Sequence, residues 1–144
     1  MEWWRGIQSG GTADPSVAFR DHLERIRDRL PSDLLLLQES VSLHDARLRI
    51  YDYNPGQLIL NLSGDDGSGG LRDFILEYRL IDSIIMTSDP DIGLPGQNGF
   101  GDLGYDEPDI LENGLFQHRI LFSSGIELQV DFSDFKMSYV DHEI

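Results

Sequence analysis

The sequence lacks cysteine, has few basic residues and contains no long hydrophobic run. The absence of cysteine excludes disulfides, thiolate catalysis and cysteine-based zinc sites. No apolar run approaches the roughly 20 residues that a transmembrane helix needs, so we expect no such helix. Residues 1–5 carry an acid where a signal peptide carries bases, and no apolar segment follows them. We therefore expect a cytoplasmic protein.

The scarcity of basic residues also limits the possible partners. There are 11 Lys and Arg against 26 Asp and Glu, which gives a net charge of −15. Nucleic acids are bound through Lys and Arg that neutralise phosphates, so we expect no direct binding to DNA, RNA or an anionic membrane. Residues 1–50 have a net charge of −1 and residues 51–144 of −14. This asymmetry indicates either a solvated acidic surface or an acidic face that attracts a basic protein partner.

Two helices are predicted within residues 14–40. Apolar residues at helical spacing predict an amphipathic helix over 15–29, which Pro31 ends. A shorter helix is predicted over 33–39. Its leucine run, 34–37, is apolar on all sides, and a helix of that kind is normally buried.

Strands dominate the rest of the chain, and three are predicted between residues 46 and 82. Apolar residues alternate over 47–53, 58–62 and about 72–82. When the apolar positions of the first two strands are placed on the same face, Ile50 lies opposite Leu60. This pairing leaves a five-residue loop at 53–57. The third strand places four apolar residues on one face, namely Phe74, Leu76, Tyr78 and Leu80.

A β-hairpin is predicted within residues 115–140. Its three-residue loop is Ser123-Ser124-Gly125, and the apolar parity gives four opposing pairs: Phe116 with Phe132, His118 with Val130, Ile120 with Leu128, and Phe122 with Ile126. A last strand continues through residues 135–139. Helices followed by sequential strands predict a single α+β domain over 1–144, with two N-terminal helices packed on a mainly antiparallel sheet of about five to six strands.

Residues 88–112 do not fit this pattern and predict a long acidic loop rich in glycine and proline. Loops of this length inside a compact domain are usually functional or disordered. We therefore assign the candidate partner-binding residues to this segment. They are Asp89, Asp91, Phe100, Asp102, Tyr105, Asp106, Glu107, Asp109 and Glu112.

No motif for catalysis, cofactor binding or metal binding stands out. The acidic and glycine-rich segment 65–70 lacks the ligand spacing of an EF-hand. The glycine-rich segment 96–101 is followed by no lysine that would hold phosphates. The histidines show no metal-ligand spacing, and no serine lies in a nucleophile motif. We expect no cofactor and no metal, and the sequence favours a protein without catalytic activity.

His118 is the one histidine whose strand parity points inward. Its neighbours on that face are Phe and Ile side chains. It is either a core histidine hydrogen-bonded to a neighbour or a pocket residue with a shifted pKa.

Short motifs resemble those of a family of small uncharacterised bacterial α+β domains over residues 30–135. The motifs are Pro31-Ser32-Asp33-Leu34, Leu43-His44-Asp45-Ala46, Tyr105-Asp106-Glu107, Phe116-Gln117-His118-Arg119 and Gly125-Ile126-Glu127-Leu128. The resemblance implies the fold class and carries over no activity or catalytic residue. The chain is also similar in style to the acidic immunity proteins encoded beside bacterial toxins.

Three functions remain open from the sequence. The first is an immunity-type inhibitor that occludes a toxin or another basic protein through the acidic segment. The second is a small-molecule-binding or metabolic domain with a pocket near His118. The third is a scaffold protein that dimerises through a sheet edge.

Overall fold

The computed structural model describes residues 15–40, 43–65, 70–88 and 101–141. These residues form two α-helices, a short 3-10 helix and six β-strands, so the fold class is α+β as predicted. In chain order the elements are α1 (Pro15–Ile26), the 3-10 helix (Arg27–Arg29), α2 (Ser32–Ser40), β1 (Arg47–Asn54), β2 (Gln57–Asp65), β3 (Leu71–Ser88), β4 (Leu103–Ile110), β5 (Phe116–Phe122) and β6 (Ile126–Asp141).

The first helix ends earlier than its periodicity predicts. α-Helical geometry stops at Ile26, a 3-10 turn continues to Arg29, and Leu30 is extended with ψ 150°. A residue before proline is restricted to extended conformations, so Pro31 already forces Leu30 out of the helix. Ile26 and Leu30 are both buried.

The leucine run of α2 is only partly buried. Leu34 and Leu37 lie in the hydrophobic core, whereas Leu36 is 45 % exposed. The expectation that this helix is buried on all sides is therefore wrong. α2 begins beside β6, where Oδ2 of Asp33 accepts a hydrogen bond from the backbone N–H of Met137 at 2.9 Å. Among the described residues, no helix is both long and apolar enough to cross a membrane.

The six described strands form one antiparallel sheet in the order β1-β2-β3-β6-β5-β4. β3 has 18 residues and β6 has 16, and the two pair along almost their whole length. β2 and β1 extend the sheet beside residues 71–79 of β3. β5 and β4 extend it beside residues 127–132 of β6. The sheet thus consists of two offset halves that share the β3–β6 pair.

The two outer strands meet at one end of the sheet. Arg47 at the start of β1 forms an antiparallel bridge with Asp102. The N–H of Leu103 donates to the carbonyl of Ala46 at 2.7 Å, and the N–H of Asp45 donates to the carbonyl of Leu103 at 2.8 Å. Because the sheet curls until its ends join, its inner face encloses the core. Sheet residues with exposed fractions of 2 % or less include Leu58, Leu60, Phe74, Tyr78, Ile120, Leu128, Val130 and Phe132.

A β-bulge changes the predicted pairing of β1 with β2. Leu48 opposes Leu62, but the register shifts by one residue between Leu48 and Ile50, so that Tyr51 opposes Leu60. The predicted pair of Ile50 with Leu60 is wrong, and Ile50 is 50 % exposed. A bulge adds one residue to one strand and reverses the inward parity beyond it.

The same shift shortens the turn between β1 and β2. The five-residue loop predicted at 53–57 is a two-residue turn of Pro55 and Gly56 between the paired residues Asn54 and Gln57. Gly56 has φ +81°, the conformation that the residue after proline adopts in a type II turn and that glycine adopts easily.

β3 is longer than predicted and changes its inward face at Leu80. Leu80 has φ +51° and is 69 % exposed, so the prediction that it shares the buried face with Tyr78 is wrong. Ile81 lies opposite Phe132 and packs against the core instead. The strand then continues to Ser88, six residues beyond the predicted end.

The acidic loop predicted over 88–112 contains a strand. β4 spans Leu103–Ile110 and pairs with β5, so the loop prediction is wrong for these residues. The sequence of β4 is not typical of a strand, because its eight residues include three acids, Gly104 and Pro108. Proline is tolerated in an edge strand, where its missing N–H is not needed for the ladder.

The C-terminal hairpin follows the sequence pattern. Phe116 opposes Phe132, His118 opposes Val130, and Ile120 opposes Leu128. The three-residue turn ends on Gly125 with φ +88°. The last predicted strand is a direct continuation of β6 and pairs with the first half of β3.

Replacing Gly101 by alanine is expected to destabilise the fold more than replacing Gly114. Both glycines have positive φ, +80° and +85°, but only at Gly101 would a Cβ collide with a neighbour, the Oγ of Ser123. That Oγ accepts a hydrogen bond from the N–H of Asp102 at 2.9 Å, so the collision also disturbs the start of β4. We expect a loss of about 1 kcal/mol for Gly114→Ala and about 2–4 kcal/mol for Gly101→Ala in urea unfolding. Equal losses would contradict the close approach at Gly101.

Candidate functional site

The structure divides the predicted partner-binding residues into three groups. Asp89, Asp91 and Phe100 lie outside the described residues, as do segments 66–69 and 96–100 of the two glycine-rich stretches. Four residues, Asp102, Tyr105, Asp109 and Glu112, lie at least partly exposed on or beside β4. The other two lie on β4 but do not face solvent freely: Asp106 contacts His118, and Glu107 is buried.

The exposed group lies along β4. Asp102 and Glu112 are exposed at the two ends of the strand, and Tyr105 between them is 38 % exposed. The Asp109 carboxylate accepts a hydrogen bond from Nε2 of His22 in α1 at 3.1 Å. This contact connects the first helix to β4.

Asp106 takes part in a hydrogen-bonded network that reaches into the core. Its Oδ2 accepts a hydrogen bond from Nε2 of His118 at 2.7 Å and one from Nε2 of Gln38 in α2 at 2.5 Å. The other ring nitrogen of His118, Nδ1, lies 2.5 Å from the hydroxyl of Tyr78. The network therefore joins β3, β5, β4 and α2.

The protonation of the neutral His118 ring follows from its partners. An ionised Asp106 only accepts hydrogen bonds, so Nε2 carries the proton and Nδ1 accepts from the hydroxyl of Tyr78. Burial, with the Asp106 charge nearby, raises the pKa of Tyr78 well above its usual value, so this hydroxyl stays protonated and can donate. His118 and Tyr78 are both fully buried, and their rings contact Phe135. Every polar atom of the pair thus has a partner, which is the core-histidine alternative of the sequence analysis.

A cleft of about 300 Å³ lies on the solvent side of Asp106. Its walls combine apolar and polar side chains, namely Phe19, Leu37, Leu43 and Leu103 with Gln38, His44, Tyr105 and Asp106. Among the described residues, none donates a hydrogen bond to Oδ1 of Asp106, and this side chain is 18 % exposed. His118 and Tyr78 do not line the cleft, so a ligand there would meet Asp106 rather than the histidine.

His44 and Tyr105 form the rim of this cleft. Their ring centroids lie 5.5 Å apart, and Nδ1 of His44 is 2.7 Å from the carbonyl oxygen of Gly104. This hydrogen bond crosses from the chain before β1 to β4, close to the point where the outer strands meet.

Glu107 points to the opposite face of β4 and is only 5 % exposed. Its Oε1 lies 3.6 Å from Nη1 of Arg119, while its buried Oε2 has no hydrogen-bond partner among the described residues. Burial raises the pKa of Glu107 to about 7, although the Arg119 guanidinium acts in the opposite direction. A partner's side chain cannot reach this carboxyl group, so we remove Glu107 from the partner-binding surface.

Arg119 begins a polar row that crosses the outer face of the sheet. Its Nε donates to Oε1 of Gln117 at 3.0 Å, and Nε2 of Gln117 donates to Oδ1 of Asp131 at 2.9 Å. The hydroxyl of Ser83 donates to Oδ2 of Asp131 at 3.2 Å. The row connects β5, β6 and the second half of β3.

Sequence reasoning missed Tyr78, Gln38 and Arg119 as members of these networks. Strand parity predicts that Tyr78 points inward, and Gln38 lies next to buried Leu37. Neither pattern predicts the hydrogen-bond partner, which is 40 residues away from Tyr78 and 68 residues away from Gln38. Within the described ranges, no three His, Asp or Glu side chains are grouped so that they could hold a metal ion.

Comparisons with family models, with curated proteins and with solved structures gave no match to this chain. The resemblance to small bacterial domains therefore stays a prediction. The function must be argued from the geometry and charge of this chain alone.

Removing the hydroxyl of Tyr78 is expected to destabilise the fold. Tyr78→Phe leaves Nδ1 of His118 buried without a donor, which costs about 1–3 kcal/mol of unfolding free energy. Tyr53→Phe is the matched control, because Tyr53 is 53 % exposed and its hydroxyl reaches water. We expect the control to stay within about 0.5 kcal/mol of the wild type in urea unfolding. Equal stability of both variants would show that the buried hydrogen bond contributes nothing.

Glu107 is expected to make the protein less stable as pH rises. The ordinary pKa of 4.5 applies in the unfolded chain, whereas the folded pKa is about 7. Between these values only the folded form holds the proton, so stability from this group falls from about pH 4.5 to 7 and the loss is complete above 7. It amounts to about 3 kcal/mol.

The variant Glu107→Gln stays neutral and tests this dependence. We expect it to lack the fall in stability over that pH window and to exceed the wild type above neutral pH. Glu112→Gln, a change at an exposed acid, should retain the wild-type slope. The measurement is urea unfolding at a series of pH values, and parallel curves for all three proteins would overturn the assignment.

Proposed function

We propose that this chain is a non-catalytic, cytoplasmic binding protein of the immunity type, which occludes a toxin domain or another protein with a basic surface. The observation that carries the proposal is the exposed acidic chain around β4: Asp102 precedes the strand, Glu112 follows it, and Tyr105 between them is 38 % exposed. Complementary charge accelerates the encounter with such a partner, and a central aromatic residue contributes most to affinity.

The distribution of basic residues supports this surface. Residues 51–144 contain four bases, and two of them lie against acids elsewhere: Arg79 beside Glu77 and Asp134, and Arg119 beside Glu107. In the described part of the chain, no ion pair involves Asp102 or Glu112. Within the described residues their charge is thus not neutralised by an ion pair, although the exposed base Arg47 opposes Asp102 across the bridge.

The buried network supports the proposal in a second way. Asp106 is held by His118 and Gln38, and it follows Tyr105 directly in β4. A strand that is fixed before binding loses little conformational freedom on binding. His118 and Tyr78 are too deeply buried to touch a partner, so their role is to position this strand.

We also propose that the two helices pack on the sheet and that residues 1–144 form one domain. Leu34 and Leu37 of α2 belong to the same hydrophobic cluster as the inner sheet residues. Asp33 and Gln38 each add a hydrogen bond from α2 to a strand. Such packing would hold β4 at a constant distance from α2.

A second candidate function is the binding of a small ligand in the cleft beside Asp106. The specific observation is a carboxylate with one available oxygen above apolar walls, in a volume of about 300 Å³. That volume is at the lower limit of common ligand sites. An organic amine with a short apolar body would match a carboxylate in these surroundings.

The test measures association with the protein encoded by the gene next to this one, since immunity proteins are encoded beside their toxins. The double variant Asp102→Lys, Glu112→Lys should lower the association rate at least about ten-fold at low salt. It should also weaken the salt dependence of that rate. The matched control is Asp28→Lys, Asp52→Lys, which changes the net charge equally at exposed positions of other elements.

Growth and binding together decide the outcome. Expression of the neighbouring protein should arrest growth, and co-expression of this chain should restore it. An association rate that falls equally in both double variants would reduce the effect to net charge and overturn the assigned surface. Absence of growth arrest and of binding would reject the inhibitor function and leave the cleft ligand as the better hypothesis.

A further inference from the structure

The second half of β3 is paired on one side only. The ladder between β2 and β3 stops where Gln57, the first residue of β2, opposes Arg79, and the last contact on that side is the hydrogen bond from the N–H of Ile81 to the carbonyl of Gly56 at 3.3 Å. Beyond Ile81, no strand of the described residues lies on this side, while β6 continues to pair with the other side up to Ser88. The backbone N–H and C=O groups of residues 82–88 that point away from β6 therefore have no strand partner within the described residues.

This edge has features that usually protect an edge strand only at its start, where Asp82 lies at a shift of register between Ile81 and Ser83. Natural edges carry charges, proline or bulges that prevent pairing with another chain. Residues 83–88 contain neither a charge nor a proline, although 26 % of the whole chain is charged. Ile85 is 48 % exposed and Met86 is 45 % exposed.

An open groove borders this half of β3. This groove of about 560 Å³ is bounded by Tyr51 and Tyr53 of β1 on one side and by residues 81–84 and 86 of β3 on the other. Adjacent strands lie about 4.8 Å apart, which an open groove of this size accommodates. The exposed apolar side chains would be covered by the incoming strand.

The sequence of the edge identifies the incoming strand as a second copy of this chain. Residues 83–87 read Ser-Ile-Ile-Met-Thr, which is symmetric in polarity about Ile85. In an antiparallel pair centred on Ile85, each Ile84 opposes a Met86 and each Ser83 opposes a Thr87. Ile85 then meets Ile85 and Ser83 meets Thr87 on one face of the pair, and Ile84 meets Met86 on the other face.

Charge also favours a second copy over a basic segment at this edge. Asp82 is the one acid among residues 80–88, so the edge offers little attraction to a basic partner. In the centred register each Asp82 opposes a Ser88, and the two Asp82 side chains stand six residues apart. That separation is about 20 Å, beyond the Debye length of about 8 Å at physiological salt.

We propose that two copies of this chain pair antiparallel through residues 82–88 of β3, about a two-fold axis at Ile85, to form one continuous sheet. The pairing is isologous, since the same edge serves both copies. It leaves the acidic side of β4 unused and is independent of the proposed inhibitor function. Salt distinguishes the two interactions, because screening weakens binding to a basic partner and strengthens association of two chains of charge −15.

Sedimentation velocity over a range of protein concentrations tests the proposal on the full chain. The wild type should sediment as a dimer, and the dimer should become more stable at higher salt. Ile85→Lys places two like charges at the axis and should give a monomer with an unchanged circular dichroism spectrum. Val140→Lys is the matched control, because Val140 is a 58 % exposed strand residue outside this edge, and it should remain dimeric.

A cross-linking experiment tests the register and does not depend on the stability of the lysine variant. The chain contains no cysteine, so a single introduced thiol reports on its own copy. Ile85→Cys should be cross-linked to a dimer by a short bismaleimide, because paired residues have Cβ atoms about 5 Å apart. Ser83→Cys should not, since its two copies would be separated by about 13 Å along the strands. A monomeric wild type, a dimer unaffected by Ile85→Lys, or equal cross-linking of both cysteine variants would overturn the proposal.

Discussion

The hydrogen bond between His118 and Asp106 is the interaction on which the arrangement of β4 depends. β4 has an unfavourable sequence for a strand, with three acids, a glycine and a proline in eight residues. It is held by its ladder with β5, by the bridge at Asp102 and by the carboxylate of Asp106, which is bound from the core and from α2. A buried imidazole must be satisfied on both nitrogens, and Tyr78 satisfies the second one. The acidic strand is thereby fixed to the centre of the sheet, three strands away.

Periodicity predicts those parts of the fold in which each partner is near in sequence. The C-terminal hairpin has a three-residue turn and a strict alternation, so its register follows from local residues. The helices likewise follow from spacing and from Pro31. The register of β1 could not be derived in this way, because a bulge between Leu48 and Ile50 leaves no mark on the alternation and yet reverses it. Leu80 differs for a related reason: its left-handed backbone is imposed by the junction of the two sheet halves and not by its own preferences.

The candidate site shows the same division. Parity predicts that His118 points inward, and it is fully buried. The partners of His118 lie on different elements, so the choice between a core role and a pocket role required the positions of Tyr78, Asp106 and Gln38. For the acidic residues, composition predicts a surface that attracts basic groups, but it does not distinguish exposed from buried carboxylates. Alternation along β4 does not make that distinction either, because neighbouring Asp106 and Glu107 face opposite sides and both are largely buried.

The placement of charge separates two kinds of surface on this molecule. The exposed acids beside β4, with Tyr105 among them, form a charged surface whose electrostatic attraction salt would screen. The uncharged edge at residues 83–88 suits pairing of backbones and depends on apolar contacts, which salt does not weaken. Both surfaces derive from the offset between the sheet halves, because β2 ends before β3 does and β4 lies at the opposite margin. Two copies would repel each other through their acidic β4 surfaces, whereas pairing through the β3 edge would leave the acidic strand of each copy exposed.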